Sequence, residues 1–141
     1  MSLPSLPTTN GSPCEANGCS DCCHDIEMLL TEADLTRLQA ARPGEDFWFQ
    51  ADDGFLQLQT REAHGPKPCW FLVDGRCSVW ADRPEGCRLY PAIWDDGLRR
   101  ATLDADYCPH TDGFRLPRSM DDATRRLANR LMAERDARDT A

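Results

Sequence analysis

Eight cysteines in a chain of 141 residues constrain this protein more than any other feature. Four of them, Cys14, Cys19, Cys22 and Cys23, fall within one short stretch near the start. Cys69, Cys77, Cys87 and Cys108 are spread over the middle. Thiolates at that density either tie disulfides or hold a metal. The short gap from Cys19 to Cys22 allows a tight turn to aim two sulfurs at one ion, and Asn17 and Gly18 supply the backbone freedom such turns need. Cysteines this close cannot all pair with one another without severe strain. Adjacent side chains in an extended segment point to opposite sides. Cys22 and Cys23 therefore suit two metals, or two atoms of one polynuclear cluster, better than a lone structural ion.

The compartment separates the metal from the disulfide reading. The opening residues MSLPSLPTTNGSP lack the basic n-region and apolar h-region of a secretory signal, and no stretch is long and apolar enough to span a membrane. The expected location is the cytoplasm, where thiols stay reduced and structural disulfides are rare. A net charge of −8 argues against nucleic acid as a partner. Lys67 is the only lysine, so the cations are almost all arginine, which favours planar, bidentate and stacked contacts. Arg125, Arg126, Arg130, Arg135 and Arg138 alternate with acids late in the chain and read as a solvated helix face.

Periodicity gives a small, single α+β domain of short hairpins and a few helices, organised around a cysteine-rich metal site. Residues 1–12, rich in Pro, Ser, Thr and Gly, read as a disordered leader. The domain is expected over residues 13–135, with 136–141 as a disordered tail. A short strand ends at Leu30, and Thr31 caps a helix that stops before Arg42-Pro43-Gly44. Phe47, Phe49, Leu56 and Leu58 flank a turn at Ala51-Asp52-Asp53-Gly54. A second hairpin turns at Asp74-Gly75. Residues 81–89 suggest a short helix with Pro84 near its start. Ile93-Trp94 and residues 98–103, around Asp95-Asp96-Gly97, form a third hairpin. Ser119 is expected to cap a closing helix with Ala123, Leu127 and Leu131 on one face.

The cysteine motifs resemble those of a known family. Cys14 to Cys23 is similar to the CxxCxxCC signature of the YkgJ family of cysteine-cluster proteins, described as zinc- or iron-chelating. The resemblance continues in order through Cys69-Trp70-Phe71-Leu72, Arg76-Cys77-Ser78, Arg83-Pro84-Glu85-Gly86-Cys87-Arg88, Tyr90-Pro91 and Cys108. The first gap is four residues here, where the signature has two, which ranks Cys14 below the other seven as a ligand. The resemblance implies a bound zinc or iron, as a metal ion or an iron–sulfur cluster, with all eight cysteines as candidate ligands.

Arg83 and Arg88 lie beside Cys87 in sequence and are candidate donors to metal-bound sulfur. Helix capping and ion pairing with Asp82 or Glu85 are their ordinary alternative. His24, His64 and His110 are weaker ligand candidates beside so many thiols. Cys14, Cys19 and Cys22 also match the spacing of plant-type ferredoxins, but four cysteines follow where that fold requires one. An iron–sulfur redox protein and a disulfide-stapled protein without metal stand as alternatives to a chelating module. No residue pattern points to a catalytic group, and the sequence names no protein partner.

Overall fold

The computed structural model describes residues 24–25, 27–104 and 116–139. Along the chain these form β1 (Leu29–Leu30), α1 (Glu32–Ala41), β2 (Trp48–Gln50), β3 (Leu56–Leu58), β4 (Leu72–Val73) and β5 (Arg76–Cys77). A 3-10 turn (Trp80–Asp82), α2 (Glu85–Leu89), β6 (Ala92–Asp95), β7 (Arg100–Leu103) and α3 (Ser119–Asp139) complete the order. This is the α+β character expected, with short antiparallel strands and separate helices.

α1 starts where local chemistry dictates. Thr31 Oγ1 accepts the Asp34 amide at 3.0 Å, and Asp34 Oδ2 accepts the Thr31 amide at 3.1 Å. This reciprocal capping box satisfies two donors that a helix N-terminus otherwise leaves unpaired. The helix ends at Ala41, where the Arg42 amide still reaches Leu38 O at 2.8 Å. Glu134 of α3 adds a distant anchor, its carboxylate accepting the Glu32 amide at 3.1 Å. Negative charge at a helix N-terminus is favourable there.

Three small antiparallel sheets follow. β3 is central in the order β1-β3-β2, with Leu30 opposite Leu56 and Trp48 opposite Leu58. The period-two spacing sends Leu56 and Leu58 inward, at 3% and 2% exposure. β4 and β5 pair across Asp74-Gly75, whose φ values of 50° and 78° give the double left-handed turn that matches strand twist. β6 and β7 pair from Ala92↔Leu103 to Asp95↔Arg100.

These elements enclose two apolar clusters. Leu30, Leu38, Phe47, Leu56, Leu58, Phe71 and Val79 make the first, with the Phe47 and Phe71 rings 5.3 Å apart. Burying each phenyl ring stabilises the fold by roughly 1.5–3 kcal/mol. Leu89, Ala92, Ala101 and Met120 make the second, where α3 packs on β6 and β7. Gly86 lies between the clusters. A Cβ there would stand 2.5 Å from Met28 Sδ, so the backbone approaches more closely than any side chain allows. The described fold is thus organised by apolar packing; a cysteine-rich metal site as its organiser is not shown by these residues.

Several local expectations shift. The single helix read over residues 81–89 is divided, because Arg83 is extended (ψ 152°) and Pro84 takes the position before α2. The third hairpin turns over residues 96–99 rather than 95–97. Asp95 stays in β6 while its Oδ1 accepts the Leu98 amide at 3.0 Å, and Arg99 adopts φ 56°. Ser119 is the first residue of α3 rather than its cap, since Met120 and Asp121 amides bond to Pro117 O and Arg118 O. α3 itself runs through Asp139, past the boundary drawn at residue 135.

The late arginines correct a further expectation. Arg125 and Arg126 do face solvent, paired with Asp122. Arg130, however, reaches Glu85 at 3.0 Å, and Arg138 reaches Glu32 at 2.7 Å and Gly54 O at 3.1 Å. Arg135 lies over the Phe55 ring at 4.6 Å. Helical spacing turns these three toward α2, the turn between β2 and β3 and the start of α1, so they dock α3 rather than merely solvate it.

Candidate metal centre

Three of the eight cysteines fall on described residues. Cys69 is held by backbone: it bridges Thr60, and its carbonyl accepts the Leu72 amide at 2.9 Å. Its side chain is buried at 7% exposure, and burial pushes the thiol up to about 11, with neighbouring Cys77 adding to the rise. Cys77 sits on β5 opposite Leu72 and is half-buried. Burial also raises its pKa, against the lowering influence of Arg83 and Arg42. Cys87 lies in α2, its amide bonded to Pro84 O at 2.9 Å. All three pack on the first apolar cluster.

Cys14, Cys19, Cys22, Cys23, Cys108 and His110 lie outside the described residues. Among the described residues, no three His, Cys, Asp or Glu side chains converge as a metal-binding set. His64 is exposed and remote from packing. His24 is half-buried and pairs with Pro68 in an isolated antiparallel bridge, supported by the Asp25 amide on Lys67 O at 2.8 Å. That pairing joins the start of the described chain to the segment leading into Cys69. Cys23 is one peptide bond before His24, and Cys69 one after Pro68.

The surroundings of the three thiols are cationic. Arg83 Nη1 donates to Trp80 O at 2.7 Å, and its guanidinium stacks 3.9 Å from the centre of the Trp80 ring. Its pKa is lowered, first by burial and then by the like charge of Arg88, while Cys87 and Cys77 oppose the shift. Arg88 donates through Nη2 to Ala81 O, and its Nε is buried with no hydrogen-bond partner. Neither Arg83 nor Arg88 forms an ion pair with a described carboxylate: Glu85 is engaged by Arg130, and Asp82 contributes only its carbonyl, to Arg37. Of the ordinary alternative for these arginines, ion pairing with Asp82 or Glu85 is absent among the described residues, whereas helix capping is present: both donate to carbonyls of the 3-10 turn, Trp80 O and Ala81 O.

Two further arginines complete this environment, and the linear sequence did not single them out. Arg61 donates to Leu72 O and lowers the Cys69 pKa from eight residues away. Arg42, at the end of α1, donates to Ser78 O at 3.2 Å and lies 6.0 Å from the Phe71 ring centre. Their distance in sequence from Cys77 concealed them. A signal did exist for Arg42, which ends a helix whose buried face points at Phe71.

One buried carboxylate fixes the segment that carries these groups. Asp34, 1% exposed, accepts the Glu85 amide at 3.0 Å and the Arg37 guanidinium at 2.7 Å through Oδ1. Arg37 in turn donates to Asp82 O at 3.2 Å and Arg83 O at 3.0 Å. The N-terminus of α1 thereby holds the backbone on either side of Pro84, just ahead of Cys87. Sequence reading saw Asp34 as a first-turn acid only, because its second partner lies far along the chain.

The donor chemistry suits a soft or borderline metal. Thiols with raised pKa values stay protonated until a cation displaces the proton, and guanidinium groups favour the thiolate form. No helix among the described residues is long and apolar enough to cross a membrane. No curated protein and no solved structure matches the chain. The sequence model of one family does match, over residues 13–109, more than half of the chain and spanning all eight cysteines. The chain belongs to the CxxCxxCC family, whose description is "Putative zinc- or iron-chelating domain".

Proposed function

We propose that this protein is a cytosolic metal-binding module that holds zinc or iron through thiolates of both cysteine groups. The observation that carries this reading is the positive charge beside Cys69, Cys77 and Cys87, where Arg61, Arg83 and Arg88 pair with no described carboxylate. Arg88 is close enough to disfavour the Arg83 charge, and Arg88 Nε is buried without a hydrogen-bond partner. A buried, unsatisfied guanidinium N–H is costly. A divalent ion or iron–sulfur core ringed by four thiolates is anionic overall. It would supply the missing counter-charge and sulfur acceptors for those donors.

Cys19, Cys22, Cys23, Cys69, Cys77, Cys87 and Cys108 are the proposed ligands, with Cys14 ranked last across its altered gap. The bridge between His24 and Pro68 supports a centre shared by the two groups, since it draws together the strands flanking Cys23 and Cys69. The adjacent Cys22-Cys23 pair favours more than one metal atom, which suits an iron–sulfur cluster or a two-metal site. The metal's contribution is structural or for storage; no group in the described residues is arranged for catalysis.

Elemental analysis with an absorption spectrum of anaerobically purified protein tests this reading. Zinc gives a colourless protein with metal in stoichiometric amount. An iron–sulfur cluster gives a brown one with visible sulfur-to-iron bands. A metal-free protein with its cysteines joined in disulfides after alkylation and mass spectrometry contradicts the proposal.

A further inference from the structure

α2 presents opposite sides to two different environments. Cys87 packs toward the first apolar cluster, whereas Gly86, Leu89 and Tyr90 line a cavity of about 490 Å³. That volume falls in the range of small-molecule sites. The cavity lies between the chain entering β1, the end of α2, β6 and one face of α3. Met28, Ile93, Trp94, Leu127 and Leu131 give it an apolar wall. Gly86 keeps the wall open toward Met28, since a Cβ there would collide with the thioether.

The charged side chains of the same cavity are acidic among the described residues: Asp25, Glu27 and Asp104 line it beside His24, and no described lysine or arginine does. Tyr90 donates its phenol to Asp104 Oδ2 at 2.7 Å, which fixes that carboxylate at the wall. Asp25 is fixed likewise, its Oδ1 accepting the Lys67 amide at 2.9 Å. Glu27 is exposed and meets incoming solute from the solvent side. Low-dielectric walls beside charges of one sign focus the field and concentrate counter-ions. The electron-rich faces of the Trp94 and Tyr90 rings also favour a cation, and the Arg99 guanidinium lies 5.7 Å from the Trp94 ring centre.

We propose that this cavity binds a small organic cation: a protonated amine carrying an apolar body, with the ammonium toward Glu27 and Asp104 and the body against Trp94, Leu127 and Leu131. An apolar acid of the same size would meet three carboxylates. A neutral compound would gain only the wall. No cysteine of the described residues lines this cavity, so its ligand and the metal occupy different sites.

The test uses the full chain with its metal as purified. Isotope-labelled protein is titrated with 2-phenylethylammonium, and in parallel with 3-phenylpropanoate and 2-phenylethanol as anionic and neutral analogues. Backbone amides of Ala92 and Leu127 and the Trp94 indole should shift with the ammonium probe, which should bind about tenfold tighter than either analogue. Glu27→Gln, an exposed change, should weaken the probe about threefold, and added salt should do the same. Ala128→Trp, filling the cavity from α3, should abolish the shifts. Metal content, measured on the same samples, should be unchanged throughout. Equal affinity for the analogues, shifts confined to other surfaces, or wild-type binding by both variants overturns the proposal, whatever the metal analysis shows.

Discussion

Two groups of arginines in this molecule are handled in opposite ways. At the junction of α1, α2 and α3, guanidinium meets carboxylate: Arg37 with Asp34 at 2.7 Å, Arg130 with Glu85 at 3.0 Å, Arg138 with Glu32 at 2.7 Å. On the cysteine side, Arg61, Arg83 and Arg88 meet carbonyls and a tryptophan ring and no described carboxylate, while Arg42 pairs with Glu45 at 3.6 Å. The junction pairs each of its three guanidinium groups with a carboxylate, although Arg138 Nε is buried without a hydrogen-bond partner. On the cysteine side burial lowers the Arg83 pKa, and Arg88 Nε is likewise buried without a hydrogen-bond partner, with no described carboxylate paired to either arginine.

The contrast is broken most severely by taking the metal away. Metal bound only by the folded chain contributes its binding energy to folding, on the order of 10 kcal/mol for structural zinc sites. A strong chelator under reducing conditions should therefore lower the melting temperature sharply, followed by circular dichroism. An unchanged melting curve after verified metal removal means that the two apolar clusters alone hold the fold.

Next in size is the junction itself. Asp34→Ala removes the capping partner of Thr31, the acceptor of the Glu85 amide and the counter-ion of Arg37 together. Breaking one partner of a buried pair typically costs about 3–5 kcal/mol. Urea denaturation should show a loss of that order, with the slope unchanged. A loss below about 1 kcal/mol would reduce the junction to surface electrostatics.

How much of this was legible in the sequence follows the reach of each interaction. Thr31 with Asp34 is a three-residue signal, and Asp74-Gly75 carries its turn in its own backbone preferences, so both were readable. The inward Leu56 and Leu58 followed from period two. Asp34's hold on Glu85 was not readable, because nothing in a helix N-cap says which distant amide will share it. For the same reason Arg138 read as solvated while its partners, Glu32 and Gly54, lay far away in sequence. The family was readable because its cysteines fall in order; which thiols share a metal was not, because spacing along a chain does not state which thiols meet.

A smaller effect sharpens the comparison on the cysteine side. Arg88→Gln should weaken metal retention about 10- to 100-fold in competition with a calibrated chelator, as expected for a donor behind the ligands, with secondary structure intact. Arg126→Gln, whose side chain is 72% exposed beside Asp122, is the control and should change nothing. Equal release by both variants places Arg88 among ordinary surface charges.

The smallest effect separates the docked from the solvated arginines of α3. Arg138→Gln, at a side chain 20% exposed, should lower stability by up to about 1 kcal/mol. Metal content should not move. The denaturation midpoint reads the first and elemental analysis the second; loss of metal in this variant would join two regions that the account keeps apart.

The central claim is that cysteine sulfur from both groups surrounds the metal, and X-ray absorption at the metal edge of the purified protein tests it most directly. The account predicts a first shell dominated by sulfur near about 2.3 Å, with the sulfur contribution reduced in Cys69→Ser and in Cys22→Ser alike. A shell of nitrogen and oxygen, or a sulfur shell untouched by either substitution, contradicts it.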